Sequence, residues 1–228
     1  MSELIKHHEI ISVLPDGSRE QGEKPLLREH SLKISVNGEQ RFNIICTGEY
    51  IKELTVGRLL TEGLIGSAQD IESLVTDKDG HTAEVVLKSD PINTNEYHKL
   101  PQATWSDGEI FALAKRFSEG TQMHHVTQCT HSCFLAKGSE LLFCCEDIGR
   151  HNAVDKAVGH AVLNGIDLSG CMLFTSGRVP TDMVMKTVAA GIPVLVSKSV
   201  PTAESVETAH KYGLTLICRA YPDRFEIY

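Results

Sequence analysis

The chain has 228 residues, enough for one large domain or two modest ones, and its 41% hydrophobic and 23% charged residues give the balance of a folded chain rather than a disordered or fibrous one. A net charge of −8 argues against nucleic acid or an acidic membrane as a general partner, because both select a basic face. No apolar run approaches the roughly 18 residues that cross a bilayer, and the start Met1-Ser2-Glu3-Leu4 lacks the basic-then-apolar pattern of an export signal, so a cytoplasmic chain is expected. Seven cysteines, an odd number scattered along the chain, point to reduced thiols rather than a disulfide framework.

Residues 1–24 are polar, with a turn at Pro15-Asp16-Gly17, and read as an irregular or partly strand-forming arm. Leu32, Ile34 and Val36 alternate with polar residues up to Asn37-Gly38, and Phe42, Ile44 and Cys46 alternate beyond it, the pattern of a type I′ hairpin. Ile51, Leu54, Leu59 and Leu60 have helical spacing over 49–64, weakened by Gly57 and ended by Gly63. A second hairpin over 71–88 turns at Asp77–Gly80. The polar stretch from Lys88 to Trp105, with Pro91 and Pro101, reads as a connection between a smaller β-rich domain with one helix (1–100) and a second domain (101–228). Ser106 and Glu109 fit a capping box opening a helix to about Glu119. Beyond Val126, strand-length apolar runs at 141–145, 171–174, 194–196 and 214–217 alternate with helical stretches near 151–164, 180–190 and 203–212, which predicts an α/β layered domain.

Two strand-to-helix junctions carry the chemistry. The first runs Glu146, Asp147, Ile148, Gly149, Arg150, His151, Asn152, Ala153, Val154, Asp155, Lys156. Ligands bind at strand ends in open α/β sheets, helix starts offer free amides to phosphate, and Arg150 can hold an anion by two parallel hydrogen bonds, with Lys156 as a further charge. Glu146 and Asp147 add two carboxylates at the same strand end. Equally, they would serve as helix caps and surface partners of Arg150 and Lys156. The second junction, Ser176, Gly177, Arg178, follows another apolar strand, with Lys186 further along; two such turns at neighbouring strand ends would suit a ligand with more than one phosphate. Standing alone, it also reads as an ordinary turn whose Pro180 starts a helix.

In order, EDIGRHNAVDK at 146–156, SGR at 176–178, Lys186, GIPVLVSKSVPT at 191–202 and the closing GLTLICRAYPDRFEIY resemble the formate dehydrogenase accessory (FdhD/NarQ) family. VNG at 36–38 and CTGEYIKELTVGRLLTEGLI at 46–65 are similar to that family's first half. The resemblance implies a three-layer, cytidine-deaminase-like C-terminal domain beside a smaller β-rich one. It also implies an accessory role: accepting persulfide sulfur from a cysteine desulfurase and passing it to the molybdenum bis(molybdopterin guanine dinucleotide) cofactor, bound as client rather than as resident group, before delivery to apo-formate dehydrogenase. A homodimer and a cofactor-contacting turn at Arg219, Ala220, Tyr221, Pro222, Asp223 and Arg224 follow from the same likeness, and with that cofactor as client Glu146 and Asp147 would meet the donor edge of guanine. No structural metal is expected, because no second CxxC pair completes a set of about four zinc ligands.

One departure from the family stands out. Its Cys-Gly-x-Cys-Gly sulfur-handling loop has no counterpart, since the corresponding stretch 98–105 contains no cysteine. Sulfur chemistry would then move to Cys129 and Cys133 with His131 between them as base, unless those cysteines are core residues. The rival expectation is a non-catalytic cofactor-binding chaperone. Zinc deamination fits poorly, because the H-x-E and P-C-x-x-C halves of that signature are missing.

Overall fold

A computed structural model of the chain describes residues 4–92 and 97–228. Among these residues it is a mixed α/β protein with three sheets and six α-helices. The N-terminal arm is more regular than its polarity suggests. Strands β1 (Ile5–Val13) and β2 (Arg19–Leu27) pair antiparallel along their whole length, around a turn in which Gly17 has φ +82° and Asp16 accepts from the Ser18 amide.

The next layer is a four-stranded sheet in the order β4-β3-β6-β5, formed by β3 (His30–Val36), β4 (Glu39–Cys46), β5 (Ile71–Thr76) and β6 (Thr82–Leu87). Both expected hairpins are present. The β3–β4 turn is of the primed type because Asn37 and Gly38 both have positive φ, a twist that matches the strands. Leu32, Ile34, Val36, Ile44, Ala83 and Val85 face one way and bury against helix α1 (Ile51–Thr61).

The larger sheet runs β12-β11-β10-β9-β7-β8, from β7 (His131–Lys137), β8 (Glu140–Asp147), β9 (Met172–Thr175), β10 (Val194–Ser197), β11 (Thr215–Tyr221) and β12 (Arg224–Ile227). Helix α2 (Asp107–Ser118) opens with the expected capping box, Ser106 Oγ accepting from the Glu109 amide while the Glu109 carboxylate accepts from the Ser106 amide. It covers one face, where Phe117 sits 4.7 and 4.4 Å from the rings of Phe134 and Phe174. Helices α4 (Arg150–Leu163), α5 (Thr181–Ala189) and α6 (Ala203–Tyr212) lie on the other face, against Leu135, Leu173, Leu195 and Leu216. Strand alternation thus yields three layers. The short helix α3 (Gln122–Thr127) and strand β12 carry no sequence signal strong enough to have been expected.

One hydrophobic core spans the small sheet, α1, α4 and the inner face of the large sheet. Gly57 is the reason α1 and α4 lie so close. A Cβ at Gly57 would run into the Asp155 carbonyl, and one at Gly159 into the Glu53 carbonyl, so the two backbones touch where both helices have glycine. The glycine that weakens α1 as an isolated helix is the one its packing requires.

Candidate functional site

Because β9, β10 and β11 are parallel and β7 runs antiparallel between β8 and β9, the ends of β8, β9, β10 and β11 and the start of β7 share one edge of the large sheet. Register places His131 opposite Asp147 on one side and Cys133 opposite Thr175 on the other. The two sequence-predicted junctions therefore meet, with His131 between them. His131 Nδ1 lies 3.2 Å from Ser176 Oγ, and the Ser132 amide donates to the same oxygen at 3.1 Å. The Arg150 side chain packs on Gly177, and its buried Nε has no partner among the described residues. Gly149 caps α4, whose start adds a partial positive charge to this edge. Arg178 is exposed beside it.

Burial lowers the affinity of His131 for a proton, and the nearby Arg150 and His124 lower it further. His151 is also lowered, first by burial, although its Nε2 pairs with Asp182 at 2.8 Å.

Several expected ligand groups are instead consumed by the protein. Asp147 is fully buried: its carboxylate pairs with Lys156 Nζ at 2.6 Å and accepts from Thr47, Gly149 and Asn152. Glu146 accepts from the Met123 and His124 amides and from Thr130 Oγ1, fastening α3 to the strand end. Neither carboxylate is free to read guanine. Lys156 is likewise fully buried, and Lys186 pairs with Asp155 at 3.0 Å and Glu62 at 3.2 Å, so neither amine reaches a phosphate in this arrangement. Asp155 also binds Arg58 at 2.9 Å and Thr61, while Asn152 bridges Asp147, the Ile45 carbonyl and Arg58. In the 176–178 turn, the Ser176 amide donates to the Ser132 carbonyl and the Gly177 amide to Thr175 Oγ1. That turn offers a hydroxyl and a guanidinium rather than an amide cradle.

Thr47, Arg58, Thr61 and Glu62 are the members of this network that the sequence reading missed. Arg58 and Thr61 follow Leu54 on the buried face of α1, and a charge at such a position calls for an interior partner. Burial pushes the Glu62 carboxyl up, but Lys186 and Arg58 outweigh it and hold the group below its ordinary value.

The cysteines separate cleanly. Cys133 is buried in the core and burial drives its thiol far above the ordinary value, so it cannot serve as an accessible carrier. Cys145 is buried in the same way, Cys144 is half-buried with its thiol raised to about 11 by burial and Glu146, and Cys46, Cys171 and Cys218 are also buried. Cys129 alone is exposed, in the loop between α3 and β7 that leads to His131.

The C-terminal turn borders the same edge. The Arg219 amide donates to the Ser199 carbonyl, in the loop after β10, and Arg219 has φ +47° at a β-bulge. Its side chain lies 3.5 Å from Glu226, Ala220 is buried, Pro222 and Asp223 form the turn, and Arg224 stands over the Tyr221 ring. Clefts of about 870, 480 and 270 Å³ lie elsewhere, on the β1–β2 arm, beside Gly165 and Gly191, and beside Cys171.

The fold and its strand-end edge define a layered α/β protein that gathers cationic and hydroxyl groups where four strands end. The FdhD/NarQ family pattern matches residues 27–103 and 90–228, and the chain belongs to that family. It is 28% identical over 255 residues to a Listeria monocytogenes protein named sulfur carrier protein FdhD, covering 98% of this chain and 97% of the relative. A Methanocaldococcus jannaschii protein named FdhD is 32% identical over 204 residues, covering 88% and 86%. A crystal structure from Desulfotalea psychrophila, provisionally described as a formate dehydrogenase accessory protein, has a TM-score of 0.87 at 24% identity, over 99% of this chain and 96% of that one.

Proposed function

We propose that the chain serves formate dehydrogenase maturation as a sulfur carrier that seats the guanine dinucleotide molybdenum cofactor, its substrate, at the strand-end edge. The observation that supports this reading is the meeting of the β8 and β9 turns around His131, with Arg150 resting on Gly177. Arg150, Arg178 and the start of α4 take the diphosphate, and the Arg219–Arg224 turn closes one side. Cys129 carries the sulfur. Its thiolate attacks the outer sulfur of a desulfurase persulfide, the S–S bond of the donor breaks, and the desulfurase cysteine leaves as a thiolate, with His131 the nearest base in sequence.

On this reading the three layers correspond to a cytidine-deaminase-like domain from about residue 101, beside a β-rich domain of 1–100. A cysteine desulfurase, apo-formate dehydrogenase and a second copy of the chain are its cytoplasmic partners. Incubation with a cysteine desulfurase and cysteine, followed by intact-protein mass spectrometry, tests the carrier role. A gain of one sulfur that disappears in Cys129→Ser is expected.

A second reading, a cofactor-binding chaperone without sulfur transfer, is favoured by the presence of one exposed thiol where a relay would use two. It predicts cofactor binding with no sulfur gain on any cysteine.

A further inference from the structure

His131 is placed to do more than assist a thiol. The charged and titratable groups facing it come from every neighbouring element: Arg150 and His151 at the start of α4, Asp147 at the end of β8, and His124 on α3. Asp147 is already neutralised by Lys156, and His151 faces Asp182, which leaves the Arg150 guanidinium as the dominant charge beside the ring. His131 Nε2 and the buried Arg150 Nε both lack a partner among the described residues.

We propose that His131 is an anion-recognising residue, positioned by Ser176, and that it takes up one proton from solvent when a group with two negative charges, such as a diphosphate bridge, binds beside Arg150. This rests on the reading of the strand-end edge as a phosphate site. With the edge empty, a charged imidazole would sit half out of water next to a guanidinium, so the neutral ring is favoured. A dianion offsets the guanidinium and supplies an acceptor, which reverses the preference.

The hydrogen bonds then close without a leftover donor. Ser176 Oγ accepts from the Ser132 amide and from His131 Nδ1–H, so its own hydrogen turns to the ligand. His131 Nε2–H and the Arg150 guanidinium complete the donor set. Ser176 thus fixes which nitrogen of the ring meets the anion.

NMR titration of the His131 ring resonances in the full chain, with and without sulfate, tests this directly. Sulfate stays doubly charged across the range in which histidine titrates. The midpoint should lie below the ordinary value of about 6.5 without sulfate and rise by about one unit at saturation, equivalent to roughly tenfold tighter binding by the protonated form. The rise should shrink in Ser176→Ala. A midpoint that stays put while sulfate shifts the Gly149, Arg150 or Gly177 amides overturns the inference and leaves the phosphate site standing. Sulfate that shifts none of those amides overturns both.

Discussion

The side chain of Arg150 lies directly on Gly177: a Cβ at position 177 would stand 2.8 Å from both the Cβ and the Cδ of the arginine. The absence of a side chain in one turn sets the position of the guanidinium in the other. Gly177→Ala should therefore push Arg150 off its seat, costing about 1–3 kcal/mol as an overpacking change. Anion binding should weaken with it. Urea denaturation and sulfate titration check the two effects, and a variant with unchanged stability and affinity would contradict the contact.

The α1–α4 crossing leaves less room still, because the opposing atoms are main-chain carbonyls that cannot swing aside. Gly57→Ala and Gly159→Ala should each lose about 3 kcal/mol or more, although alanine favours a helix. The midpoint of urea unfolding reports this; a stabilised variant would mean the helices do not touch as described.

Asp155 holds two cations, Arg58 and Lys186, inside the core. Removing the carboxylate in Asp155→Ala leaves both cations with only the half-exposed Glu62 as a carboxylate partner and should cost about 3 kcal/mol. Lys186→Met leaves Asp155 paired with Arg58, so its cost should be smaller, and ligand affinity should stay within about twofold because that amine faces inward. Calorimetric binding with each variant, beside thermal unfolding, separates the structural role from a phosphate-binding one.

Two groups of titrations set the acid limit of the fold. His131 and His151 both have folded values below the ordinary one, chiefly through burial, so the unfolded chain takes up protons first as pH falls. Their contribution to stability is complete above about pH 6.5 and is lost as pH drops from there through the lowered folded values. Glu62 is held low by Lys186 and Arg58 against the effect of its burial, so its contribution is present above about pH 4.3 and is lost only as pH falls through its lowered folded value. Melting temperature measured from pH 8 to pH 2 should fall in two stages, the second only below about pH 4.3, and His131→Gln should flatten the first. A first stage of the same depth in that variant would remove His131 from the account.

The elements that could be read from sequence are those whose cause is local. Asn37-Gly38 demands its turn, and Ser106 with Glu109 caps its helix, whatever lies around them. Gly57 was legible as a residue that weakens a helix, but its use at a helix crossing depends on Asp155, nearly a hundred positions away. The same distance hid the fate of Asp147. Its pairing with Lys156 follows from neighbours in sequence, whereas Thr47, which donates to it from just past the end of β4, is a hundred positions away. The strand-end location of Gly149, Arg150 and Ser176–Arg178 was legible because strand and helix lengths were; which of their polar groups remain free was not.

The central claim is that the turns after β8 and β9 form one anion site. Calorimetric titration of the full chain with GDP, repeated for Arg150→Gln and Arg178→Ala, tests it most directly. Each change should weaken binding by roughly 10- to 100-fold, the worth of a charge-assisted hydrogen bond. Unaltered affinity in both variants would show that the diphosphate is held somewhere else.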